Sequence, residues 1–140
     1  VARELHRRLA DDGYAVTLAR LETVEPLQIS DTTAELTSIP AVDGYDALVF
    51  ACPVRGGTAA LPMRIFLEQI PSLAGKRVAC MVTGFFPAAC GRDQTLAEMK
   101  AHCESKGATV SRTGSVWWTS LRRKREIAEA VDGVSALLRD

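Results

Sequence analysis

Two short apolar runs, each closed by turn residues and each leading into a helical pattern, restrict what this chain can fold into. In the first, residues 46–51 (DALVFA) are apolar after one acid and meet Pro53, Gly56 and Gly57 before a helical pattern begins near Ala59. A short, continuously apolar segment bounded by turns reads as a central strand covered on both faces, as found inside a parallel sheet. The second run, residues 77–83 (RVACMVT), is of the same kind and opens into a loop from Gly84 to Gly91. Both loops then leave the carboxyl edge of the sheet. Open α/β sheets bind ligands at that edge, so a small-molecule site is the expected function.

The rest of the chain supplies the layers. Residues 1–12 read as a helix with Val1, Leu5 and Leu9 on one face and a stop at Gly13. Residues 15–21 (AVTLARL) read as a strand that turns Val16, Leu18 and Ala19 inward. Residues 22–42 are polar, carry Pro26 and Pro40, and read as an irregular connection with a short helical turn at 33–36. Pro62 suits the first turn of a helix whose inward face is Ile65, Phe66 and Ile70. Asp93 is placed to cap the next helix, with Leu96, Met99 and Cys103 at i, i+3 and i+7 and Gly107 at its end. Residues 109–118 hold a last strand, or two short ones, interrupted near Gly114, and Ile127, Ala130, Val131, Val134 and Leu138 stripe a closing helix. Strands alternating with helices across short connections specify a parallel sheet with helices on both sides.

A length of 140 residues suits one domain, and 47% apolar with 24% charged residues is the composition of a soluble globular protein. Seventeen basic and seventeen acidic side chains cancel, so no overall field draws in nucleic acid or a membrane, and neither is expected as a partner. The local exception is Arg122, Arg123, Lys124 and Arg125, which read as a solvated helix flank or as a site for an anion such as the phosphates of a nicotinamide cofactor. With no apolar run of membrane-span length and no signal peptide, a cytoplasmic location is expected. Cys52, Cys80, Cys90 and Cys103 form no CxxC pair, and with only His6 and His102 beside them there is no zinc spacing and no expected metal. Cys80 and Cys103 are expected to pack as small hydrophobes, and Cys52 to be reactive only in a specific basic environment. Walker, GxGxxG and GxSxG signatures are absent, as are the Asp of a receiver domain after the first run and the Cys-to-Arg spacing of a Cys-based phosphatase.

The passage YDALVFACPVRGGTAALPMRIFLEQIPSLAGKRVACMVTG, with the Gly-bounded loop after it, resembles flavodoxin-like proteins and the FMN-dependent reductases related to them. The informative parts are the Pro-Val-x-Gly-Gly-Thr loop, the x-Phe-Leu-x-x-(Ile/Leu)-Pro-x-Leu-x-Gly-Lys passage and the Val-Thr-Gly strand ending. The resemblance runs over essentially the whole chain. It implies one flavodoxin-like domain over residues 1–140, a doubly wound, three-layer α/β/α fold whose parallel sheet has the order 2-1-3-4-5. It also implies FMN, held by three loops, two of which have counterparts here. The first is Pro53, Val54, Arg55, Gly56, Gly57 and Thr58; the second is Thr83, Gly84, Phe85 and Phe86, extending to Gly91. Glycine lets backbone approach the edge of a flat ring, while Val54, Phe85 and Phe86 offer apolar surface to its faces. The third loop, a Ser/Thr-rich turn that holds the FMN phosphate, has no counterpart, because Val1 corresponds to a position already inside the helix that follows it. With no Met at position 1, the expectation is an N-terminally truncated domain lacking its first strand; the alternatives are a gap filled by the edge of a second chain, or strands that pair in another order.

Members of the resembled families that act as low-potential carriers are very acidic and have an aromatic residue in the first loop. This chain is neutral and has Arg55 there. A cation beside the ring favours the anionic reduced flavin and raises its potential, which turns the expectation toward NAD(P)H-linked reduction of a quinone-like acceptor. Arg55 pointing into water is the plainer alternative. NAD(P)H or a redox partner protein, and a homodimer, are the partners implied. A cofactor-free flavodoxin-like domain acting in protein association is the alternative function. Trp117 and Trp118 are expected to put one ring in the core and the other on the opposite face, or else to line an acceptor pocket or dimer seam. His6 and His102 are expected in water. No catalytic residue is assigned, since the redox chemistry would belong to the cofactor.

Overall fold

The computed structural model describes residues 1–28, 30–85 and 91–139. Its elements run α1 (Ala2–Asp11), β1 (Ala47–Arg55), β2 (Thr58–Ala59), α2 (Leu61–Gln69), β3 (Arg77–Gly84), α3 (Arg92–Ser105), β4 (Thr109–Trp117) and α4 (Arg123–Ser135), the last followed by a 3-10 turn, Ala136–Arg139. The described strands form a mixed sheet of order β2-β1-β3-β4. β1, β3 and β4 are parallel, and β2 is a short antiparallel addition to the end of β1.

The middle strand explains the layering. Along β3, Val78, Cys80 and Val82 enter one apolar cluster, with Met63, Phe66 and Leu67 of α2 and Met99 and Cys103 of α3. Ala79 and Met81 alternate to the other face, against Leu5 and Leu9 of α1 and Val131 and Val134 of α4. All five β3 side chains are 0–1% exposed. A strand wholly apolar on both faces can only sit where helices cover both, and the result is compatible with a three-layer α/β/α fold. On the outer side, Arg8 pairs with Asp132 and so links α1 to α4, but both side chains are largely exposed and such a pair contributes little.

Four expectations are corrected. Residues 15–21 form no strand: the one bridge nearby joins Thr23 to Leu36, which also replaces the helical turn expected at 33–36. Of the side chains expected to turn inward there, Val16 packs on the α1 face, whereas Leu18 is 49% exposed and Ala19 is exposed as well. Apolar alternation marks a segment able to join a sheet, but a strand needs a ladder partner, and this segment has none among the described residues. Second, β1 is fully buried on one face and only partly on the other. Phe50 and Cys52 are buried while Val49 and Ala51 are half-buried against the α1 and α4 side chains, at a strand that pairs with β3 on one side and, on the other, meets a partner among the described residues only at Val54 and Arg55. Third, β4 is one continuous strand. Its irregularity is an extra residue, Ser111, where Val78 pairs with Val110 and Ala79 with Arg112; Gly114 lies mid-strand under α4. Fourth, Gly91 rather than Asp93 is the N-cap of α3, and no side chain caps that helix.

Candidate functional site

β1 continues past Pro53 and turns back at once. Val54 pairs with Ala59 and Arg55 with Thr58, leaving Gly56 and Gly57 as a two-residue turn with φ of 60° and 79°. Positive φ at both positions is what a type I′ hairpin requires, and Gly-Gly supplies it without strain. The segment read as an open loop is therefore a hairpin, and the two glycines between Arg55 and Thr58 were the signal for it. The amide of Ala60 donates to the Pro53 carbonyl at 3.0 Å, and α2 starts directly afterwards with Pro62 in its first turn.

The second group lies next to the first. Thr83 and Gly84 close β3, and Thr83 sits opposite Pro53 in the ladder. A Cβ placed on Gly84 would come 3.8 Å from Cβ of Val54, and one on Gly91 would come 3.0 Å from Cα of Gly57. The two glycine-bearing turns thus touch at the carboxyl rim of the parallel strands. Phe85 follows Gly84 and is 64% exposed. Phe86 and Cys90 lie outside the described residues. Arg55 is exposed at the hairpin end.

Three features of this rim escaped the sequence reading. Arg92, at the start of α3, is only 7% exposed; its Cγ and Cδ occupy the space at 3.0–3.1 Å from where a Gly84 side chain would begin, and its Nη1 donates to Ser115 Oγ at 2.5 Å. No pattern marks a buried arginine, although a glycine on the strand facing it makes the room. Next, the end of β4 and the segment after it clamp the backbone of Gly84 and Phe85. Trp117 Nε1 donates to the Phe85 carbonyl at 3.0 Å, Thr119 Oγ1 donates to the same oxygen at 2.6 Å, and the Trp118 amide donates to the Gly84 carbonyl at 2.7 Å. Third, an open cavity of ≈ 850 Å³ at this rim is lined by Phe85, Trp118 and residues 119–125. Arg123 lies over the Trp118 ring, 4.8 Å from its centroid.

Trp117 and Trp118 are both half-buried, so the expectation of one ring in the core is corrected. Trp117 is the last residue of the ladder, opposite Gly84, and the neighbouring core position is taken by the fully buried Val116. His6 and His102 are also corrected, from solvated to half-buried. Nε2 of His6 lies 3.3 Å from the Val16 carbonyl and Nε2 of His102 lies 3.0 Å from the Leu67 carbonyl, so each ties its helix to a neighbouring segment.

Cys52, Cys80 and Cys103 are free and buried. Burial pushes the Cys52 thiol up, and its Sγ lies 3.8 Å from Met99 Sδ. Cys80 is raised by its hydrogen bond with Cys103 and then by burial. Reactive thiols need the opposite environment, partly exposed and electropositive. Iodoacetamide applied to the native protein should therefore leave these three unmodified and label them only in urea, as read by peptide mass spectrometry; rapid native labelling of Cys52 would contradict its burial.

None of residues 53–58 or 83–85 is a carboxylate or a histidine. The turns can hold and orient a group, but they have no general acid or base of their own to exchange protons with it. No family model matches the sequence. Fold and rim together define an α/β protein, with a mixed four-stranded sheet flanked by helices and a glycine-built carboxyl edge.

Proposed function

We propose that this chain is an FMN-binding flavodoxin-like domain, an oxidoreductase or electron-transfer protein that uses NAD(P)H to reduce a quinone-like acceptor. The observation that carries the reading is the contact between the two glycine turns at the carboxyl rim, with Gly91 against Gly57 and Gly84 beside Val54. On this reading β1, β3 and β4 are the third, fourth and fifth strands of the 2-1-3-4-5 order. The backbone of Gly56, Gly57 and Thr58 and that of Thr83, Gly84 and Gly91 would meet the edge of the ring. Val54 and Phe85 would give it apolar surface. FMN, when bound, supplies the hydride and electron chemistry. The chain's own contribution is to bind and orient it, to exclude water on the protein side, and to set the field at Arg55. The open space around Gly56 and Gly57, where an added Cβ would meet nothing within 4 Å, and the exposure of Phe85 both suit a flat partner.

Titration of the purified chain with FMN tests this directly. Flavin fluorescence should change until one FMN is bound per chain, and Phe85→Ser should weaken binding about tenfold or more, from loss of an apolar contact surface. No spectral change at saturating FMN would sink the reading. A second reading, a cofactor-free domain acting in protein association, is favoured by one observation: residues 47–53 of β1 have no ladder partner on their outer side among the described residues. Such an edge is a template for another strand. Colourless protein that sediments as a dimer or larger would support it.

A further inference from the structure

The neutral total conceals one uneven place. Between β4 and α4 the chain makes an exposed turn whose apolar residue, Leu121, is fully exposed and is followed by four exposed cations, Arg122, Arg123, Lys124 and Arg125. Phe85 and the half-buried Trp118 line the same open cavity. Single exposed apolar side chains are ordinary. An aliphatic tip, two aromatic rings and four cations on one surface are a different matter, because in water the Leu121 side chain gains nothing from the charges around it. Two of the cations are engaged within the protein, Arg123 over Trp118 and Arg125 with Glu129 at 2.9 Å. Arg122 and Lys124 have no carboxylate partner among the described residues.

We propose that residues 118–125 dock this protein on an anionic lipid bilayer, Leu121 entering the headgroup boundary while the cations lie against lipid phosphates. Charge complementarity selects an anionic occupant, and Leu121 selects among anions. A soluble phosphate would engage the arginines and leave the leucine in water. A nucleic acid would stack on Trp118 and Phe85 but has no use for an aliphatic tip. A bilayer surface takes apolar tips, interfacial tryptophan and basic side chains together. The whole-chain charge balance does not bear on such peripheral docking, nor does the fact that no described helix is long and apolar enough to cross a membrane. If the flavin reading also holds, docking would turn its rim toward the phase in which apolar quinone-like acceptors dissolve, a consequence that rests on that reading, whereas the docking does not.

Sedimentation of the full chain, without FMN, with phosphatidylcholine vesicles that contain or lack phosphatidylglycerol is the test. The protein should pellet with the anionic vesicles, stay in solution with the neutral ones, and be released by high salt. Leu121→Ser should weaken binding about tenfold, from the loss of one inserted apolar side chain. Arg122→Glu with Lys124→Glu should weaken it about a hundredfold or more, four units of charge being removed at roughly fivefold each. All these side chains are exposed, so the fold should survive, and Arg3→Glu with Arg7→Glu on α1 should leave binding unchanged. No binding, or equal binding to neutral vesicles, would overturn the proposal. So would Leu121→Ser binding as well as the wild type while heparin displaces both, which would assign the surface to a soluble polyanion. Because FMN is absent from the assay, none of these failures touches the flavin reading, and a failed FMN titration does not touch this one.

Discussion

Gly91→Ala should destabilise the protein by about 2–5 kcal/mol, well beyond the cost of the same change at Gly57. Both glycines have positive φ, 118° at Gly91 and 79° at Gly57, so an alanine at either carries the strain of a left-handed backbone, roughly 1–2 kcal/mol. The surroundings separate them. A Cβ at Gly57 meets nothing within 4 Å, whereas a Cβ at Gly91 comes 3.0 Å from Cα, 3.2 Å from O and 3.3 Å from C of Gly57. These are backbone atoms and cannot swing aside as a side-chain end would, so the hairpin or the start of α3 must move, adding roughly 1–3 kcal/mol of overpacking. Urea midpoints at unchanged m-value give both numbers. Equal losses at the two positions would mean that the two turns do not touch in solution, and the proposed binding rim would go with them.

That contact also narrows where a planar ligand can lie. With Gly91 against Gly57 there is no room for a ring between those two glycines, so a ring would have to rest on the outer side of the paired turns, where Phe85 is exposed and Gly56 faces open space. Arg92 fixes the inner side. It fills the gap beside Gly84 and binds Ser115 on β4, so the second turn is buttressed by a side chain that reaches from α3 past the end of β3 to β4.

What could be read from the residues divides along a physical line. β3 was legible because its apolar character is unconditional: Val78 to Val82 are apolar without alternation, and only a two-sided burial suits that. The helical faces were legible for the same reason, since Leu5 and Leu9, Met99 and Cys103, and Val131 and Val134 fix which side of each helix points inward. Residues 15–21 were misread because strand formation depends on a neighbour that the segment's own pattern does not specify. β1 was read as central for a related reason, as its composition states what it can bury and not what is beside it. The hairpin at Gly56 and Gly57 was present in the sequence but was overshadowed by the expectation of an open loop. Arg92, the Trp117 and Thr119 contacts to the Phe85 carbonyl, and the cavity beside Leu121 arise only where separate elements converge, so local pattern could not disclose them.

The other large effect concerns the face of the sheet that α2 covers. Phe66→Ala should cost about 3–5 kcal/mol, the range for removing a buried aromatic ring from a packed core. Phe66 is buried among Leu67, Met63 and the β3 side chains, and its ring meets that of Phe50 on β1 edge to face, with centroids 5.8 Å apart and planes at 70°. In this geometry the positive edge of one ring points toward the negative face of the other, worth about 0.5–1.5 kcal/mol beyond area burial. The pair therefore joins α2 to β1, a long strand whose outer edge is paired among the described residues only at Val54 and Arg55. In a double-mutant cycle, Phe50→Ala and Phe66→Ala together should lose less than the sum of the single losses by at least that amount, since each single change already removes the shared contact. The same cycle run on Phe66 and Val134, which lie on opposite faces of the sheet, should be additive to within about 0.5 kcal/mol. Additivity in the Phe50 pair would show that α2 does not hold β1 in this way. Coupling between Phe66 and Val134 as strong as that of the ring pair would mean that the two faces do not behave as the separate apolar clusters on which the layered arrangement rests.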